Sequence, residues 1–365
     1  MNICLVISGL PAGGAERIVT SLANYLVEEG KSVTLITFDS GKPYYPLDER
    51  INLRQLDIPS QGRPLHRAVL SSVKRVSHLR RTIGGSQPDI VISFLVKTNI
   101  LTVLATRGMD IPVVVSERNN PDHQVLRPLW EFFRKRTYDR STKIVTPSQG
   151  VLDWFPQRIK DKGLVIPNPV DLPDEIVPRQ PGPPGLIAVG RLDQQKGFDL
   201  LLEAYSRVEG DFPDWSLVIR GEGRLRSKLE ALRDSLGLKD RVSFPGITSE
   251  PGTWVREGEV FVLSSRFESF GNVLTEAMVA GLPIVSFNCP FGPGDIITDG
   301  EDGILLPPED VDELASTLSR VMSDEGLRQK LGQAAQKNVR RFERRKIMKR
   351  WDTLIEELLH PAGKN

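Results

Sequence analysis

The sequence predicts an α/β protein made of two Rossmann-like, doubly wound lobes facing a central cleft. Three observations predict it. The chain has 365 residues, more than a single hydrophobic core usually serves, so two domains are expected. Short β-branched runs alternate with helical patterns, as in parallel sheets joined by crossover helices. A Pro/Gly-rich stretch at 166–185, reading IPNPVDLP and then PRQPGPPG, separates two series of such runs and cannot continue regular structure.

The first series of predicted strands is 3–8, 32–38, 52–58, 89–95, 112–117 and 143–148. The second is 186–191, 215–220, 241–245, 259–264 and 283–287. These runs set the boundaries: a first domain over 1–168, a linker over 169–185, and a second domain over 186–345. With 39% hydrophobic and 26% charged residues, the composition is that of an ordinary soluble globular protein. A formal net charge of +1 supplies no global attraction to nucleic acid, so basic character has to be local. Cys4 and Cys289 are the only cysteines and have neither CxxC nor metal spacing, which suits buried thiols in a reducing compartment. Residues 1–8 are apolar but lack a basic leader, and no apolar run approaches the roughly 20 residues that span a bilayer. The expected location is cytoplasmic, with any membrane contact peripheral.

Ligands of open parallel sheets bind at the carboxyl ends of strands, so the turns there carry the functional information. The first, GLPAGGAER at 9–17, opens a helix with Ala15, Ile18, Val19, Leu22 and Leu26 on its apolar face. Gly13 and Gly14 leave room for a ligand beside a helix N-terminus that favours an anion, although a glycine turn serving only helix–sheet packing reads the same way. The second, GRLDQQKGFDLLLEA at 190–204, sets Arg191 and Lys196 where both cations can reach phosphate oxygens; two solvated surface cations are the alternative. The third, FESFGNVLTEAMVAGLP at 267–283, puts Glu268 in the turn and Glu276 on the following helix, with seven residues between them. Phe270, Gly271, Asn272 and Val273 lie at the helix start, whose N–H groups suit a phosphate, and Glu276 can accept from ribose hydroxyls. Surface charge is the plain reading of both acids, and Leu274, Ala277, Met278 and Gly281 would bury the helix in either case. The fourth, SERNNPDH at 116–123, would turn Glu117, Arg118, Asn119 and Asn120 toward the cleft, or simply cap a loop.

With these residues in hand, the chain resembles the family-4 retaining glycosyltransferases of GT-B fold, which include bacterial glycan and lipopolysaccharide assembly enzymes. The likeness runs from GGAER through IPNPV, GRLDQQKG, RGEGRLR and VSFPG to ESFGNVLTE. Within that family the chain looks most like enzymes that extend undecaprenyl-diphosphate-linked oligosaccharides, the N-acetylgalactosamine transferases among them. The resemblance implies a UDP-sugar donor, with GDP as the alternative nucleotide, its diphosphate on Arg191 and Lys196 and its ribose on Glu276. Glu268 would contact the transferred sugar, and the amides of Phe270, Gly271, Asn272 and Val273 would hold sugar and phosphate. Gly246 and Ile247 would receive the base, and Gly13 and Gly14 would close on the diphosphate. It also implies front-face displacement with retention, no metal or other cofactor, and a last helix, 346–365, that returns to complete the first domain. Many members have histidine after the fifth strand where this chain has Arg118. Arginine is no base, so a charge contact with a donor or acceptor phosphate is expected there instead. The single DxD string, Asp310-Val311-Asp312, falls at a predicted helix start and reads as a cap rather than a metal site.

The acceptor is sought in the first domain. A helical pattern at 65–83 has Leu65, Val69, Val73, Val76, Leu79 and Ile83 on one face and Arg67, Lys74, Arg75, His78 and Arg81 on the other; no acid occurs from 62 to 88. A second stretch at 126–136 mixes Leu129, Trp130, Phe132 and Phe133 with Arg127, Arg134, Lys135 and Arg136. Both suit an anionic membrane surface or a polyprenyl-diphosphate-linked acceptor at the inner face of the cytoplasmic membrane. Both are also what any crossover helix requires. Three other classes compete. A nicotinamide oxidoreductase would require GxGxxG and a later acid, which are missing. A sugar-nucleotide epimerase would share the lobes and the donor. A non-catalytic binding protein would have no need of Glu268, Arg191 and Lys196.

Overall fold

The computed structural model describes residues 1–58, 65–124, 126–172, 183–248 and 252–360, with the side chains of 65–72 left aside. The chain forms two compact units, Met1–Pro169 with Arg344–Asn365, and Val170–Glu343.

The first unit runs β1 (Asn2–Ile7), α1 (Gly14–Glu28), β2 (Ser32–Thr37), β3 (Asn52–Gln55), α2 (Leu65–Ser86), β4 (Ile90–Phe94), α3 (Val96–Ala105), β5 (Val113–Ser116), α4 (Pro128–Tyr138), β6 (Lys143–Thr146), α5 (Gln149–Asp153), α6 (Gln157–Lys160) and β7 (Gly163–Val165). Its seven-stranded sheet has the order β3-β2-β1-β4-β5-β6-β7, and every pairing is parallel. β4 and β5 are buried at every residue, as expected of strands covered on both faces, which is why they read as continuous apolar runs. Ile3, Leu5 and Ile7 of β1 pack with α1, while Cys4 and Val6 face the layer of α2 and α3, the alternation a pleated strand imposes. Burial pushes the Cys4 thiol up to about 12, so it behaves as a small apolar side chain.

The second unit runs β8 (Gly185–Val189), α7 (Phe198–Ser206), β9 (Ser216–Arg220), α8 (Arg226–Ser235), β10 (Val242–Gly246), β11 (Val260–Leu263), α9 (Asn272–Val279), β12 (Ile284–Phe287), α10 (Pro293–Ile296), β13 (Ile304–Leu306), α11 (Val311–Ser323) and α12 (Glu325–Asn338). Its six strands are ordered β10-β9-β8-β11-β12-β13, again all parallel. Asp310 starts α11 by accepting from the Glu313 N–H at 2.9 Å, and Asp324 starts α12 by accepting from the Leu327 N–H at 2.8 Å.

The last helix, α13 (Arg344–Leu359), returns to the first unit. Ile347, Met348, Trp351, Leu354 and Ile355 are spaced to one face and join the core under α1. Just before α13, residues Val339–Phe342 form a 3-10 turn, and Val339 and Phe342 belong to the core of the second unit. Of the predicted linker over 169–185, residues 173–182 lie outside the described residues. β7 and β13 escaped prediction because each has only three residues, too few to show a period.

Strand order reverses between β1 and β4 in the first sheet and between β8 and β11 in the second. In each sheet the turns leaving those strands flank the position where such folds bind ligands.

Candidate active site

In the second unit the turn after β8 is bound to the turn after β11. The Gln195 side-chain amide donates to the Phe267 carbonyl at 3.0 Å, the Arg266 N–H donates to the Gln195 carbonyl at 2.8 Å, and the Ser264 hydroxyl donates to the Lys196 carbonyl at 2.9 Å. Gly197 makes this possible, being left-handed with φ 60° and packed so that a Cβ would strike the Ser264 carbonyl. Two residues 72 apart in sequence then meet: Lys196 Nζ lies 2.6 Å from Glu268 Oε1, a charge-assisted contact. The Ser265 hydroxyl donates to the same oxygen at 2.8 Å. The Lys196 stem lies across Gly190, where a Cβ would come within 2.8 Å of Lys196 Cε. Beside them burial, followed by the Glu268 charge, pushes the Cys289 thiol up to about 12.

Arg191 is different. Its side chain is 73% exposed, with a guanidinium nitrogen 2.9 Å from Gln195 Oε1 and 3.4 Å from Asp193 Oδ2. The structure thus brings Lys196 and Glu268 together and leaves Arg191 turned to its own loop.

α9 starts at Gly271, left-handed at φ 98°. Phe270 is buried, and Leu274, Ala277 and Met278 hold the helix to the core. That register leaves Asn272, Val273 and Glu276 half-buried, with the first-turn N–H groups directed out of the helix end. Trp254, itself buried, donates its indole N–H to Glu276 Oε2 at 3.3 Å. Sequence reading missed Trp254, Gln195 and Ser265 as supports of the site; a lone Trp in a Gly-bounded segment was the one available signal. At the end of β10, Gly246 is left-handed at φ 85° and accepts from the Gly221 N–H at 3.0 Å, and Ile247 beyond it is 73% exposed.

In the first unit a Cβ at Gly13 would collide with the Glu16 carboxylate, and Gly14 opens α1. The turn after β5 departs from expectation. Glu117, Arg118 and Asn120 are buried rather than presented, and only Asn119 is partly exposed. Tyr138 donates to Glu117 Oε2 at 2.8 Å and receives the Asn99 amide at 2.9 Å. Burial pushes the Glu117 carboxyl up from its ordinary value. Arg118 donates to Ser116 Oγ at 2.7 Å, the Ile166 carbonyl at 3.0 Å and Asn168 Oδ1 at 3.1 Å, and stacks 5.3 Å above the Trp351 ring. Burial lowers its pKa to about 9. Arg118 therefore clasps the end of β5 to segment 166–168 and α13; the expected phosphate contact is corrected.

The basic faces need the same correction. Arg75 is buried, donating to the Ile58 carbonyl at 3.3 Å and lying 5.9 Å from the Phe38 ring centroid, whereas Val73 is 62% exposed. The buried stripe of α2 passes through Arg75, Leu79 and Ile83 with Val76 packed beside it, so among the described positions of the predicted apolar face Val73 alone leaves the core. Arg134 is 2% exposed, paired with Glu131 at 2.8 Å and stacked 4.4 Å above Trp154. Trp130 packs against the core beside Val76, with Lys97 5.9 Å above its ring. Lys74 and Lys135 are exposed as expected, and Leu129, Phe132 and Arg136 join them at the surface. The side chain of Arg67 lies outside the described residues. No helix among the described residues is long and apolar enough to cross a membrane.

Residues 12–173 match the family described as Glycosyltransferase Family 4, and residues 174–338 match Glycosyl transferases group 1. A Campylobacter jejuni protein, GalNAc-alpha-(1->4)-GalNAc-alpha-(1->3)-diNAcBac-PP-undecaprenol alpha-1,4-N-acetyl-D-galactosaminyltransferase, is 30% identical over 98% of this chain and 99% of its own length. The amylovoran biosynthesis glycosyltransferase AmsD of Erwinia amylovora is 25% identical over 97% of this chain and 99% of its own. Among solved structures, Anabaena HepE in complex with UDP has a TM-score of 0.80 at 18% identity, covering 98% of this chain and 100% of that one.

Proposed function

Because the chain belongs to the Family 4, group 1 glycosyltransferases, we propose that it moves a sugar with retention from UDP to a hydroxyl of a polyprenyl-diphosphate-linked oligosaccharide in bacterial surface-glycan assembly. The observation that carries this reading is the meeting of Lys196 and Glu268 at the switch point of the second sheet. A cation and an acid held there suit a ligand with a phosphate at one end and ring hydroxyls at the other. Names of relatives supply the substrate classes: the Campylobacter jejuni protein acts on an undecaprenol-diphosphate glycan, and the Anabaena structure holds UDP.

In this scheme Lys196 meets the leaving diphosphate, Arg191 swings from Gln195 to join it, and the positive end of α9 faces the sugar and phosphate. Glu268 holds ring hydroxyls, Glu276 the ribose, and the backbone at Gly246 and Ile247 the base. The bond from the anomeric carbon to the diphosphate breaks, and the acceptor oxygen bonds to the same face while its proton passes to the departing phosphate. Negative charge on the leaving group is met by fixed cations and helix N–H groups, so the scheme calls for no metal. The test is incubation of the protein with labelled UDP-sugars, with and without a membrane lipid extract. Label entering the organic phase is expected; free epimerised UDP-sugar without transfer would sink the reading.

The acceptor's lipid places the reaction at an anionic membrane surface. Leu129 and Phe132 stand exposed beside Lys135 and Arg136 on α4, and Val73 beside Lys74 on α2, a mixture suited to anionic headgroups. Sedimentation with anionic liposomes is expected at low salt and lost as salt rises; absence of binding at low salt refutes the membrane role.

A further inference from the structure

The glycine turn after β1 carries chemistry that the donor scheme does not use. Glu16, in the first turn of α1, reaches back so that its carboxylate lies over Gly13, the geometry from which a third helical residue covers its own N-terminus. The position that would draw an anion therefore already holds one. Asp39 adds a second carboxylate: a Cβ on Gly9 would sit 3.1 Å from its Oδ2.

The loop after β2 lies on the same turn. Tyr44 donates its N–H to the Leu10 carbonyl at 2.9 Å. Its ring is 56% exposed and stands edge-on to Tyr45, with centroids 5.0 Å apart at 83°. Tyr45 is half-buried; burial pushes its phenol up from the ordinary value, while the Arg17 charge and the Gly13 backbone pull it back. The loop is fixed by α1: Asn24 donates to the Pro46 carbonyl at 3.0 Å and accepts from the Asp48 N–H at 3.0 Å. On its other side the Gln55 amide donates to the Gly41 carbonyl at 2.9 Å.

We infer that Tyr44, Tyr45, Glu16 and Arg17 form a carbohydrate subsite that takes the terminal sugar of the acceptor glycan. An open aromatic ring offers a face to the apolar side of a pyranose. Carboxylates beside it accept from ring hydroxyls, and Arg17 donates to an amide or hydroxyl oxygen. Two acids at this turn disfavour a second diphosphate and leave a neutral, hydroxyl-rich group as the fitting ligand. A loop held at both ends presents the ring without a further ordering cost. The inference rests on the transferase reading, but its binding test does not.

Saturation-transfer NMR on the full chain, with methyl α-glycosides of N-acetylgalactosamine, galactose and glucose as probes and UDP present, reads the subsite directly. At least one probe should give its strongest signals from protons on one ring face. Tyr44→Ala should abolish them and Tyr44→Phe restore them; no binding to the wild-type chain, or undiminished signals in Tyr44→Ala, overturns the subsite. In transfer assays, Tyr44→Ala should raise the KM for lipid-linked acceptor about tenfold, the effect of losing one stacked ring, with the KM for UDP-sugar unchanged. A rise in donor KM instead, or an unchanged acceptor KM, also overturns it. A wild-type chain that transfers no sugar yet binds the probe through Tyr44 removes the transferase reading and leaves the subsite standing.

Discussion

Lys196 reads in the sequence as a cation set toward phosphate oxygens, with a solvated surface cation as the alternative, and the structure makes it the partner of a buried acid. Its removal therefore has two separable effects. Lys196→Ala should lower kcat about 100- to 1000-fold, the usual cost of losing a fixed charge at a developing anion. It should also lower Tm by a few degrees, because Glu268 loses its cation. Adding Glu268→Gln should restore Tm and leave turnover low; calorimetry and steady-state kinetics on the pair decide it. Glu117 sets a pH dependence. Its folded pKa stands above the ordinary 4.5 because burial disfavours the charged form. A raised folded pKa contributes stability that is complete below 4.5 and lost as pH rises through the folded value. Glu117→Gln keeps an acceptor for the Tyr138 hydroxyl and removes the titration, so its Tm advantage over the wild type should grow with pH above 4.5. Equal Tm profiles would refute this. Arg118, Arg75 and Arg134 are the residues least legible in the sequence, because an arginine can bury its guanidinium on carbonyls and aromatic faces that come from distant segments.

At the scale of elements, the strand–turn–helix units of the site were largely legible: β8 with its following turn, and α9 with Glu276 on its half-buried side, lie close to where apolar runs and glycines place them. The ties between turns were not, since Gln195, Ser265 and Trp254 contact partners with no sequence period linking them. Two glycines separate function from folding. A methyl at Gly190 meets first the movable Lys196 stem, at 2.8 Å. Gly190→Ala should displace the ammonium, cut turnover at least tenfold and lower Tm by no more than the few degrees expected of Lys196→Ala. At Gly221, with φ 145°, the same methyl strikes the Gly190 carbonyl. Gly221→Ala should destabilise the fold by about 2 kcal/mol or more, as strained backbone substitutions do. Thermal melts alongside kinetics distinguish the two.

On the scale of the whole molecule, the second unit carries the residues assigned to the donor, and the first is incomplete without α13. Trp351→Ala should cost the first unit about 3–5 kcal/mol, the range for emptying a large buried aromatic. Urea unfolding should then show two transitions, with UDP protecting only the later one; a single cooperative transition protected by UDP throughout would contradict it. The route of the chain has a further outcome during synthesis. Residues 170–343 leave the ribosome as a continuous stretch and can fold as soon as they emerge. The first unit, begun earlier, must wait with the side of its core that takes Ile347, Trp351 and Ile355 uncovered until residues 344–359 follow nearly the whole length behind. A nascent chain that still lacks α13 thus leaves the core of Ile3, Leu5, Ile18 and Leu22 without its last covering layer, a handle for chaperones and proteases.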